Sequence, residues 1–159
     1  MNILQLENYS TKYQVQIQQY ELTETQLQFT DYPSNNIQQA SDRHHPIVCF
    51  NQERDLVCYF ALQEHHEFES YSTHSSTLLL RCFSTDTRFL HQGYATAALQ
   101  HLPAFITEYY PHITSVVLGV NMDNITAQAL YAKCQFKDTG QRVQWRKGTL
   151  MIMELVLSK

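Results

Sequence analysis

The stretch "FLHQGYATAAL", residues 89–99, sets one glycine between the end of an apolar run and the first turn of a helix-forming segment. Two readings of Gly93 stand at the outset. It is a turn residue chosen for its backbone freedom, or a bare backbone position that lets an anion reach the first amides of a helix. Its neighbours narrow the choice. Upstream, "TLLLRCFST" (77–85) is continuously apolar over its first half, as in a strand covered on both faces. Downstream, Ala98, Leu102, Phe105, Ile106 and Tyr109 recur at helical spacing as far as Tyr110. The spacing predicts one helix, kinked at Pro103 where a backbone hydrogen bond is lost. "SVVLGV" (115–120) reads as another buried strand. The segment from Leu78 to Val120 is therefore a β-α-β unit with parallel strands and a right-handed crossover. Gly93 stands at the carboxyl end of its first strand, where open α/β sheets bind ligands.

The flanking sequence supplies the remaining elements. In "KYQVQIQQY" (12–20), Tyr13, Val15 and Ile17 alternate with Gln14, Gln16 and Gln18, which predicts a strand with one wet face. Thr23 is an N-cap candidate for two short helices broken near Pro33. "PIVCFNQ" and "DLVCYFALQ" form a hairpin, and "EHHEFESYSTHSS" (64–76) a loop. "NITAQALYAKCQF" (124–136) is a helix with Asn124 as N-cap candidate, and "GQRVQWRKGTLMIMELVL" closes the chain as a hairpin turning at Lys147 and Gly148. The sum is an α/β (α+β) chain forming a single domain over residues 1–159, with a mixed, mostly antiparallel sheet of about seven strands and about four helices.

Composition excludes several function classes. A net charge of −4 with no lysine or arginine run argues against a partner that is nucleic acid or a membrane surface. The amino-terminal stretch has no cationic segment leading into an apolar one, and no apolar run approaches a membrane span, so a cytoplasmic location is expected. Cys49, Cys58, Cys82 and Cys134 are isolated, as reduced, buried thiols are. The glycine loop is neither a dinucleotide fingerprint nor a phosphate loop ending in Gly-Lys-Ser/Thr, which weighs against NAD and ATP.

"LHQGYATAAL", followed one strand later by "NITAQALYAKCQF", resembles the two signature motifs of the GNAT family of N-acetyltransferases. The first motif reads Gln/Arg-x-x-Gly-x-Gly/Ala, and Gly93-Tyr94-Ala95 match its second half. The second reads Asn-x-x-Ala-x-x-Leu-Tyr-x-Lys-x-Gly-Phe, and Asn124, Ala127, Leu130, Tyr131, Lys133 and Phe136 fall in place. Leu90 stands where the family has Gln or Arg, His91 where a further glycine is common, and Gln135 where a loop glycine is usual. Leu90 is expected to weaken cofactor binding without abolishing it, since backbone amides do most of that work. Gln135 is expected to require a helix ending other than the left-handed glycine cap. The element order also fits the family fold, so the resemblance spans residues 12–157 and implies that the central parallel pair forms a cofactor cleft.

The resemblance implies an acetyl-CoA-dependent enzyme that moves an acetyl group to a primary amine by direct attack. The amides of His91, Gln92, Gly93, Tyr94, Ala95 and Thr96, with Leu90 heading the loop, would hold the pyrophosphate. The backbone of Phe83 and Thr85 would bind pantetheine as an added strand, and Asn124 would reach the same arm. Tyr131 corresponds to the family's general acid at the sulfur, and a phenol is protonated at neutral pH. Its plain alternative is a core tyrosine beside Leu130. Lys133 is either a CoA-phosphate ligand or a solvated helix lysine, and Asn124 serves equally as an N-cap.

The base is open: a water chain, or a residue of the 64–69 loop, which carries Glu64, His65, His66, Glu67 and Glu69. A metal site from His65, His66 and His74 fits no standard zinc spacing, so none is expected. The acceptor is a small-molecule or peptide amine, and the chain a monomer or homodimer. Two rival readings are a CoA-binding regulatory or interaction module without catalysis on the same fold, and a general nucleotide-phosphate binder.

Overall fold

The computed structural model describes residues 3–64 and 76–158. Seven strands form one sheet: β1 (Gln5–Asn8), β2 (His44–Phe50), β3 (Leu56–Gln63), β4 (Thr77–Thr85), β5 (Ser115–Asn121), β6 (Lys137–Trp145) and β7 (Gly148–Val156). Their order is β1-β2-β3-β4-β5-β7-β6, with β4 and β5 parallel and every other pair antiparallel. Five α-helices accompany them: α1 (Gln14–Gln18), α2 (Glu24–Leu27), α3 (Pro33–Ile37), α4 (Tyr94–Tyr109) and α5 (Ile125–Lys133). Among the described residues, no helix is long and apolar enough to cross a membrane.

The mixed sheet and its central β-α-β unit are as the hydrophobic patterning predicts. The hairpins β2–β3 and β6–β7, the two short helices around Pro33, and the long helix running on through Pro103 also appear where expected. Thr23 closes a capping box on α2, accepting from the Gln26 amide while the Gln26 side chain accepts from Thr23. Residues 65–75, most of the loop expected over 64–76 and with it His65, His66, Glu67, Glu69 and His74, lie outside the described residues.

The strand expected over 12–20 is absent. In its place a single 3-10 turn (Thr11–Tyr13) leads into α1. Tyr13, Ile17 and Tyr20 are buried while Val15 is 64% exposed. The spacing of the buried residues is four and three, a helical face, which prevails over the alternation that includes Val15. The seventh strand is instead the short edge strand β1, whose Leu6 packs against the core.

The core lies between the sheet and α4, which buries Ala97, Ala98, Leu99, Leu102, Phe105 and Ile106. Leu102 and Ile106 are fully buried, each contributing about 1.5–3 kcal/mol of apolar burial. A second cluster, of Tyr13, Ile17, Tyr20, Val48, Phe50 and Tyr59, seats the amino-terminal helices on the other face.

Candidate active site

Two irregularities open the sheet at its centre. The β4–β5 ladder runs from Thr77/Ser115 to Leu80/Leu118 and stops, leaving Arg81–Thr85 without a partner on that side. On the other side of β4 the register to β3 shifts between Ala61/Arg81 and Tyr59/Ser84, a bulge in which Cys82 takes a left-handed φ of 57°. A bulge bends its strand and re-aims side chains. Here it accompanies the parting of the two parallel strands, and a cavity of about 760 Å³ fills the gap.

The cavity runs from the loop before α4, past β4, β5 and α5, to the α2–α3 segment and the β6–β7 turn. The amino-terminal segment is tied over β4 by side chains. The Tyr20 hydroxyl donates to the Ser84 carbonyl at 2.8 Å, and Gln26 Nε2 to the Thr85 carbonyl at 2.8 Å. Asp86, fully buried, accepts from the backbone and side chain of Arg88 and so shapes the 3-10 turn that leads toward α4.

Gly93 is the N-cap of α4, with φ 84° and ψ 7°, and the first amide bonded back to it is that of Ala97. A glycine cap brings no side-chain oxygen, so nothing of its own covers the amides of Tyr94, Ala95 and Thr96. The macrodipole adds positive potential at the same point. His91 precedes it in a left-handed conformation, φ 62°. The start of α5 differs: Asn124 Oδ1 accepts from the Ala127 amide at 3.2 Å.

Of the residues singled out from sequence, Phe83, Thr85, Leu90, His91, Ala95, Asn124 and Tyr131 line the cavity. Gln92, Gly93, Tyr94, Thr96 and Lys133 are not among its lining residues. Tyr94 turns to the core side, its hydroxyl accepting from Asn51 at 3.4 Å and its ring edge-on to Phe89. Lys133 is exposed. The Thr85 carbonyl is occupied by Gln26, whereas Phe83 sits in the bulge with no β3 partner in register. Glu64 does not line the cavity: it pairs with His45 at 2.7 Å, beside Tyr110.

Tyr131 is 8% exposed, its ring edge-on to Phe83 and Phe136. Its hydroxyl makes no hydrogen bond to any described residue. Burial pushes this phenol well above its ordinary range, with smaller contributions from Cys134 and Cys82. It stays protonated through neutral and moderately alkaline pH. A buried hydroxyl with no protein partner is costly unless a ligand or water completes it.

Gln135 overturns the expectation of a different helix ending. It takes the left-handed conformation itself, φ 78°. The Phe136 amide donates to the Tyr131 carbonyl at 3.0 Å and the Gln135 amide to the Ala132 carbonyl at 3.1 Å, a complete Schellman ending without glycine. The Tyr131–Phe136 ring contact supplies its apolar seal.

Sequence reasoning missed Asn36, His44, Tyr59 and Gln63, a buried polar chain behind Arg81 whose members lie far apart in sequence. It also missed Asp31, a carboxylate at the cavity wall that begins α3 by accepting from the Tyr32 amide and Asn35 Nδ2. An Asp two residues before a proline is a helix-start signal, but only the fold shows that it faces the cleft.

Known proteins share this architecture. A solved aminoglycoside acetyltransferase in complex with coenzyme A and kanamycin superposes with a TM-score of 0.78 at 12% identity, over 97% of this chain and 95% of that one. Spermidine N-acetyltransferase from Vibrio cholerae, in complex with CoA and spermine, gives 0.73 at 13% identity over 98% and 96%. An N-acetyltransferase of Bacillus subtilis (strain 168), YbbJ, is 31% identical over 142 residues, 87% of this chain and 88% of that protein. The acetyltransferase (GNAT) family profile matches residues 9–136. With β4 and β5 parted, the start of α4 uncapped and that profile spanning the cleft, the chain belongs to the GNAT family of acetyltransferases.

Proposed function

We propose that the chain transfers an acetyl group from acetyl-CoA to a primary amine, both held in the one cavity. The observation that carries this reading is one cavity lined both by the loop before α4 and by Tyr131, whose hydroxyl has no partner among the described residues. The residues fit the cofactor. The amides at the start of α4 suit a pyrophosphate, with Gly93 keeping side chains away, and the freed edge of β4 at Phe83 suits an amide-bearing arm. Asn124 keeps its Nδ2 group for the same arm while Oδ1 caps α5.

Bound acetyl-CoA supplies a thioester, at which the C–N bond to the amine forms as the C–S bond breaks. The chain's own groups handle position and protons. Side-by-side binding removes much of the entropy of encounter. An ammonium of pKa ~10 must lose a proton before attack, and water at the open mouth or the Asp31 carboxylate receives it. Tyr131 donates its proton to the departing sulfur, and the amine's second proton restores the phenol through water.

Calorimetry with acetyl-CoA, combined with thiol release across a panel of amines, tests the reading. Saturable binding with amine-dependent thiol release is expected. Absence of binding overturns it, and binding without release from any amine leaves a CoA-binding module.

A further inference from the structure

The acceptor half of the cavity carries a charge pattern that names a substrate class, an inference resting on the acetyl-transfer reading. The charged side chains that line the cavity, among the described residues, are Arg81 on β4, Arg146 and Lys147 at the β6–β7 turn, Asp31 before α3 and Asp123 before α5. The Lys147 ammonium donates to the Leu27 carbonyl at 3.0 Å, which ties the turn to α2. Arg146 lies over the Trp145 ring at 5.6 Å and pairs with no described carboxylate.

Arg81 is exposed at its surface and anchored from behind. Its Nη1 donates to Gln63 Oε1 at 3.0 Å, and no described carboxylate pairs with it. Behind it, Gln63 Nε2 meets His44 Nδ1 at 3.1 Å and His44 Nε2 meets Asn36 Oδ1 at 3.1 Å. The Tyr59 hydroxyl donates to the same Asn36 oxygen at 2.6 Å. Gln63, His44, Asn36 and Tyr59 are all buried. A buried polar chain of this length holds one guanidinium in place at the bulge, where an arginine otherwise loses side-chain freedom on binding. The remaining donors of the fork suit a planar or tetrahedral oxyanion.

Asp31 supplies the opposite charge. Its Oδ1 is engaged at the start of α3, and Oδ2 has no described partner. The Asp31 carbonyl accepts from Cys82 Sγ at 3.5 Å, so Asp31 sits against the residue that follows Arg81 in the bulge.

We propose that the acceptor is a small zwitterion: a primary amine that also bears a carboxylate or phosphate group, the anion held by Arg81 and the ammonium received beside Asp31. Polycationic amines meet a wall with more positive than negative groups and are poor acceptors.

The test is thiol release from saturating acetyl-CoA with paired acceptors: free amino acids against their C-terminal amides, phosphoethanolamine against ethanolamine, and spermidine and kanamycin alongside. The amino-acid and phosphoethanolamine arms separate carboxylate from phosphate as the recognised group. An anionic amine should exceed its neutral partner in kcat/KM by about 10- to 100-fold, the range for hydrogen bonds to a charged group. Arg81→Gln should collapse that ratio toward one through KM, and Arg81→Lys, which keeps the charge without the fork, should retain part of it. The melting curve and acetyl-CoA affinity of each variant report whether it folds. Preference for spermidine or kanamycin, equal use of acid and amide, or acetylation of none of the anionic amines while acetyl-CoA binds overturns the substrate class alone. Loss of acetyl-CoA binding in the wild-type chain overturns the acetyl-transfer reading with it.

Discussion

The two helices that follow the parallel strands begin in opposite ways. At α5, Asn124 closes its own helix by accepting from the Ala127 amide. At α4, Gly93 offers no side chain to the amides ahead of it. Backbone conformation alone does not explain the difference, because this chain places Arg54, Cys82, His91 and Gln135 at positive φ without glycine. A residue with a side chain is thus accepted two positions before Gly93 in the same left-handed region. What glycine adds at position 93 is the absence of a side chain ahead of the α4 amides, which supports the proposed site over the plain turn. The second helix then contributes through its body, where Tyr131 faces the cavity that the first helix leaves open.

The largest expected effect breaks the comparison at α5. Tyr131→Phe removes the proposed proton donor and keeps the ring between Phe83 and Phe136. General acid catalysis contributes roughly 10²–10⁴-fold, so kcat should fall by that order with acetyl-CoA affinity nearly unchanged. Because the hydroxyl has no described partner, its loss should leave the melting temperature level or slightly raised. Since burial raises this phenol, wild-type kcat should show no loss of the acid at the ordinary phenol value near pH ~10. Wild-type turnover in the phenylalanine variant would leave the thiolate to depart unassisted.

Gly93→Val comes next and breaks the comparison at α4. The side chain enters the approach to the α4 amides and sits at a φ of 84° that β-branched residues avoid. Acetyl-CoA affinity should fall at least tenfold, about 1.4 kcal/mol, by calorimetry on folded variant. Unchanged affinity would return Gly93 to the role of a turn.

Asn124→Ala sharpens the comparison. Loss of an N-cap costs about 1 kcal/mol, a fall of roughly 2–4 °C for a chain of this size. If Asn124 also reaches the cofactor arm, affinity falls together with stability. A lower melting temperature at constant affinity confines it to capping.

How far these parts were legible depends on whether the determining residues are neighbours in sequence. Thr23 and Gln26, three apart, declare their capping box, and the apolar runs on either side of Gly93 declare the parallel unit. Tyr13, Val15, Ile17 and Tyr20 satisfy two periods at once, and burial against Phe50 and Tyr59 selects the helical one. The chain from Asn36 through His44 and Gln63 to Arg81 crosses one helix and three strands, so no local pattern announces it. In sequence Arg81 is only the one charge inside the stretch "TLLLRCFST". Its place in the cleft follows from the bulge.

The smallest expected effect lies at the end of α5. Gln135 completes a Schellman ending at φ 78°, a conformation that costs a residue with a Cβ roughly 1–2 kcal/mol. Gln135→Gly removes that strain and restores the residue usual at this point of the motif. Glycine also widens the unfolded ensemble, which returns about 0.4–1 kcal/mol, so the net gain should be below about 1.5 kcal/mol. The melting temperature should rise by about 1–4 °C, with acetyl-CoA affinity and kcat unaltered, because the substitution touches neither the α4 amides nor the Tyr131 hydroxyl. A fall in melting temperature would mean that the Gln135 side chain contributes more than the strain it carries. The parallel variant His91→Gly relieves the same strain two residues before Gly93, in the loop that lines the cavity. If it moves acetyl-CoA affinity while Gln135→Gly moves only stability, the two left-handed positions separate as the two helix starts do, one serving the ligand and the other the fold.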